Sequence, residues 1–118
     1  MAFTGTATVT LVADNLVRIT GLSLAGAAAG TIALFEAAAA GVNLPAAFKP
    51  RTYVSGVAEA VTLQDDIEVS MNVVTSVTTL VPIKVVKTGT TLANFLITLT
   101  NTTVATTSAG LEIYIRHH

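Results

Sequence analysis

Apolar and polar residues alternate with a period of two through much of this chain, the pattern of strands that bury one face and leave the other to solvent. From Thr6 to Val12, Ala7, Val9 and Leu11 fall on one side and Thr6, Thr8 and Thr10 on the other. From Asp66 to Val73, Ile67, Val69, Met71 and Val73 alternate with Glu68, Ser70 and Asn72. Gly110 to Arg116 sets Leu111, Ile113 and Ile115 against Glu112, Tyr114 and Arg116. Weaker strand signals cover Leu16 to Thr20, Leu22 to Leu24 beyond a Gly21 that marks a bulge or bend, Thr31 to Glu36, Val57 to Leu63 and Thr79 to Lys87. Asp14-Asn15 tolerates left-handed backbone angles and predicts a turn joining the first two strands as a hairpin.

About seven or eight short strands at this spacing predict a mostly β chain, an antiparallel, jelly-roll-like β-sandwich in a single domain over residues 1–118. One segment follows another period. Leu92, Phe95, Leu96 and Leu99 stand at i, i+3, i+4 and i+7, with Thr90 or Thr91 placed to cap, and predict a short helix over 91–100. The alternative there is a strand that puts Phe95, Ile97 and Leu99 on one face. Leu44 to Tyr53, where Pro45 and Pro50 bracket Phe48, reads as an extended arm or loop, because two prolines exclude a central strand.

Composition sharpens this picture. Charged residues make up 11% of the chain, against about 25% in an average soluble domain, and mean hydropathy is +0.71, so a monomer is short of polar cover. Threonine fills the outward phase of the strands, where its branched β-carbon suits a pleated surface and its hydroxyl satisfies water. A membrane span does not account for the scarcity of charge. The stretch from Ile19 to Phe35 is interrupted by Gly21, Gly26, Gly30, Thr20, Ser23 and Thr31, and its bulk is alanine, so its transfer into lipid is weak. No secretory signal is expected from the opening Met1-Ala2-Phe3-Thr4-Gly5.

The six basic residues, Arg18, Lys49, Arg51, Lys84, Lys87 and Arg116, are scattered, whereas binding to nucleic acid by phosphate neutralisation wants a basic stripe. There is no cysteine, which removes disulfides and thiolate metal sites. Histidine occurs only as His117 and His118, read as a natural tail or the remains of an affinity tag. The Asp65-Asp66-x-Glu68 cluster is the one acidic group dense enough to weigh as a calcium site, and it reads instead as a solvated strand entry. Lys87-Thr88-Gly89-Thr90 lacks the glycine spacing of a phosphate loop and reads as a turn. No enzyme, cofactor or metal is therefore expected.

What remains are side chains suited to protein contacts. These are Phe48, Arg51 and Tyr53 on the proline-bracketed arm, with Tyr114 and Arg116 on the outward phase of the last strand. Tyrosine and arginine bring large area with a polar handle, which suits an interface centre. For Phe48 the competing reading is core packing, and for Tyr114 and Arg116 an exposed cross-strand pair.

Met1-Ala2-Phe3-Thr4-Gly5-Thr6, Ile19-Thr20-Gly21-Leu22, Leu44-Pro45-Ala46-Ala47-Phe48-Lys49-Pro50-Arg51, Val85-Val86-Lys87-Thr88-Gly89 and Leu111-Glu112-Ile113-Tyr114-Ile115-Arg116 together resemble small structural proteins of tailed bacteriophages, of the capsid decoration or cement type. The resemblance implies a homo-oligomer, a trimer being favoured, with a jelly-roll or related fold, bound to the major capsid protein on the outside of the head. A competing expectation is a carbohydrate-binding or adhesive β-sandwich of a tail fibre or cell surface. Against it, the chain has no tryptophan on which to stack a sugar ring.

Overall fold

The computed structural model describes residues 3–24, 29–33, 42–45, 47–48, 64–73, 83–89, 95–101 and 108–118. Eight strands lie among them: β1 (Phe3–Ala13), β2 (Leu16–Leu24), β3 (Ala29–Ala33), β4 (Val42–Asn43), β5 (Ile67–Val73), β6 (Ile83–Thr88), β7 (Leu96–Asn101) and β8 (Ser108–His117). They form two four-stranded sheets, one ordered β1-β2-β8-β5 and the other β4-β3-β7-β6. All pairings are antiparallel except β3 with β4. The architecture is the mostly β sandwich expected from the alternation, with the β1–β2 hairpin kept within one sheet and Asp14-Asn15 at its turn.

One apolar core joins the sheets. Val17, Ile19, Leu22, Leu24, Ile67, Leu111, Ile113 and Ile115 from the first sheet meet Ile32, Val42, Ile97 and Leu99 from the second. The outward phase of the second sheet carries the row Thr31, Thr98 and Val86. Threonine thus occupies outward positions in both layers.

The first sheet is bent by bulges. Between Gly5 and Thr8 the ladder with β2 shifts register, and between Ile19 and Leu22 the ladder with β8 shifts too. Gly5 and Gly21 face each other there with φ of 90° and 87°, and a β-carbon on Gly21 would stand 2.2 Å from the Thr6 carbonyl oxygen. Both the backbone angle and the close approach require glycine.

Two expectations are corrected. Residues 96–101 are strand β7, not helix, and Phe95, Ile97 and Leu99 are fully buried while Leu96, Thr98 and Thr100 are half-buried. Helical spacing and alternation share Phe95 and Leu99. Ile97 on the inner face, with β-branched Thr98 and Thr100, decides for the strand. The described part of the proline-bracketed segment beyond β4 is loop, and Phe48 within it takes the core reading in place of the interface one. Phe48 N–H donates to the Pro45 carbonyl at 2.9 Å, and the turn so formed sends the Phe48 ring into the core. The Val57 to Leu63 strand expectation lies outside the described residues. No helix among the described residues is long and apolar enough to cross a membrane.

Candidate functional site

Of the side chains suited to contact, Tyr114 and Arg116 stand on the outer face of the first sheet. β8 lies between β2 and β5, which sets Thr10, Arg18, Tyr114 and Ser70 in one row across four strands. The next row sets Leu16, Arg116 and Glu68 side by side. Thr8 and Thr20 extend the face on the β1 side. Tyr114 is half-buried at the middle, with Arg18 and Arg116 exposed beside it.

The Tyr114 hydroxyl donates to Oε1 of Glu112, two residues away on the same face. That bond to a carboxylate is the main reason the phenol is held above its ordinary range; burial and the charge of Glu112 add to it, and Arg18 acts against it. This bond orients the phenol toward Glu112 along the outer face. Arg18 and Arg116 balance Glu112 and Glu68 in sign, so the face has polar handles without a strong field.

Of the residues expected at an interface, Tyr114 and Arg116 are therefore together, with Arg18 as a neighbour that the alternation alone did not single out. Its place follows from the β2–β8 register, for which no local sequence signal exists. Phe48 is fully buried and belongs to the core. Arg51 and Tyr53 lie outside the described residues.

His117, the last residue of β8, is packed into the fold. His117 is 6% exposed, and its ring meets Phe48 edge-on, with centroids 5.0 Å apart and planes at 63°. Its backbone N–H donates to the Asn15 carbonyl at 3.0 Å, and Asn15 Nδ2 donates to the His117 carbonyl at 3.3 Å. The Nε2 of His117 is 3.2 Å from the Asp14 carbonyl, which only accepts, and this places a proton on Nε2. The last residue of β8 thus clamps the β1–β2 turn. His118 Nε2 lies 2.9 Å from Glu68 Oε2 on the surface.

Between β5 and β6, on the open side of the sandwich, a cleft of about 360 Å³ is lined by Ile67, Val69 and Val85 with Asp65, Glu68, Lys87 and His118. Lys87 is on the inward phase of β6 and its Nζ donates to the carbonyls of Gln64 and Ile67 at 2.8 and 2.7 Å. Gln64 in turn donates to the Gly89 carbonyl at 3.3 Å. The lysine is committed to tying the two sheets together. Asp65 and Asp66 lie in a short helical turn, and no group of three or more metal-binding side chains forms among the described residues.

No protein-family model matches the chain, and neither the curated proteins nor the solved structures contain a match.

Proposed function

We propose that this chain is a structural virion protein that binds the outer surface of a phage capsid, by contact with the major capsid protein, and stabilises the shell. The observation that carries the reading is the outer face of the first sheet, where Thr8, Thr10, Thr20 and Ser70 surround Tyr114, Arg18 and Arg116. Such a face offers area, hydroxyl groups and a tyrosine with almost no net charge. It is built for contact with a large protein surface and not for a small charged ligand. A protein that binds the assembled lattice and not its free subunits shifts the assembly equilibrium toward the shell by mass action.

The resemblance to decoration proteins supports the same reading, as does the shortage of charge for a solitary monomer. Mixing the purified protein with undecorated heads tests it. Saturable co-sedimentation and a raised disruption temperature of the heads are expected. Absence of both overturns the proposal.

A further inference from the structure

We infer that β1 pairs, edge to edge and antiparallel, with β1 of a second copy of this chain. Among the described residues β1 is the outermost strand of the first sheet and pairs with β2 alone. From Thr4 to Ala13 every residue is exposed except Ala7 and Val9, which are half-buried. Along such an edge, alternate backbone N–H and C=O groups point away from the sheet and offer a ladder to another strand.

The other sheet edges among the described residues are protected in recognisable ways. β4 has two residues, β5 carries Glu68, and β6 carries Lys84 and an inward-pointing Lys87. β1 has eleven residues, Phe-Thr-Gly-Thr-Ala-Thr-Val-Thr-Leu-Val-Ala, with neither charge nor proline. Its bulges fall between Gly5 and Thr8 and between Leu11 and Ala13, and they bracket a regular stretch from Thr8 to Leu11. Two of the three large apolar side chains exposed among the described residues are also here, Leu11 at 39% and Val12 at 52%.

The strand's own pattern selects a second copy as occupant. Directly opposite residues in an antiparallel pair share a face, so a two-fold axis must pass through a residue and not between two. Centred on Val9, it sets Leu11 against Ala7 of the other copy; centred on Thr10, against Val9. Either way the exposed leucine is covered by an apolar neighbour and threonine meets threonine on the outer side. An uncharged edge gives a charged partner nothing to pair with, and brings no like charges together when it meets itself. The two-fold contact uses up both edges and closes as a dimer, in place of the trimer implied by the resemblance. This pairing requires no shell and is independent of what the outer face binds.

Sedimentation velocity of the full chain tests it, alongside Thr10→Lys and Leu11→Lys checked for folding by circular dichroism. A wild-type dimer in the micromolar range is expected, with each lysine variant weakening it about tenfold or more through repulsion across the axis. Because the chain lacks cysteine, Val9→Cys and Thr10→Cys under mild oxidation add a test that needs no charge. One of them is expected to give a disulfide-linked dimer. A wild type that stays monomeric at hundreds of micromolar, association untouched by both lysine variants, or no cross-link from either cysteine variant would overturn the inference.

Discussion

The ring of Phe3 lies directly over the α-carbon of Gly30. Phe3 is on β1 and Gly30 on β3, so this contact spans the two sheets, and a β-carbon on Gly30 would stand 2.3 Å from Cε2 and Cζ of the ring. Gly30 is needed for this close approach. Gly30→Ala is expected to destabilise the fold by about 1–3 kcal/mol through overpacking, and Phe3→Ala by about 3–5 kcal/mol through the cavity it leaves. In a double-mutant cycle followed by urea unfolding, the alanine at position 30 costs less once the ring is gone. Equal costs in both backgrounds would show that the ring has room to move aside.

Phe48 and His117 give a second stability prediction, and it separates core from interface. Phe48→Ala removes a fully buried ring and is expected to cost about 3–5 kcal/mol in unfolding experiments. Tyr114→Ala, at the half-buried centre of the outer face, is expected to leave unfolding within about 1 kcal/mol of wild type and to weaken binding to undecorated heads. The reverse pattern would move the contact surface away from the first sheet.

The alternation of Thr6 to Val12, Asp66 to Val73 and Gly110 to Arg116 was legible because each of these strands has one face on the core and one outside. The β1–β2 hairpin was legible because Asp14-Asn15 is a local turn signal. What no local signal carries is the insertion of β8 between β2 and β5. That pairing rests on side-chain fit between opposite ends of the chain, and it alone brings Arg18 beside Tyr114. Near residue 97 the spacing of Leu92, Phe95, Leu96 and Leu99 favours a helix, but it shares Phe95 and Leu99 with the alternation, and the β-branched Ile97, Thr98 and Thr100 make that segment a strand. Two prolines around Phe48 exclude a strand but do not say which way the turn sends the ring. The burial of His117 has no local signal, because it depends on Phe48 and on the Asp14-Asn15 turn, both distant in sequence.

The Tyr114 phenol gives a pH prediction. Its folded pKa is raised, chiefly because the hydroxyl donates to Glu112, so the folded state favours the protonated phenol. The associated stability is fully present below the ordinary tyrosine pKa, near 10, and is lost as pH rises through the higher folded value. Ultraviolet titration of tyrosinate should show a late-ionising component that is absent in Tyr114→Phe. Glu112→Gln is expected to move that component down, since it removes both the carboxylate acceptor and its charge. A Glu112→Gln curve superimposable on wild type would count against the hydrogen bond as the cause.

Lys87 closes the cleft side of the sandwich, and its removal tests whether that lysine is structural. Lys87→Met keeps the apolar stem but leaves the Gln64 and Ile67 carbonyls without their donor. A loss of about 1–3 kcal/mol is expected, as for part-buried acceptors left unsatisfied. The local signature distinguishes this from a general effect. Ile67 heads β5, so the backbone amides at the start of that strand and the His118 amide, which donates to the Asp66 carbonyl, should exchange with solvent faster. Amides in the β1–β2 ladder should change no more than the global stability requires. Uniform acceleration across both sheets would mean that Lys87 supports the whole core and not this joint.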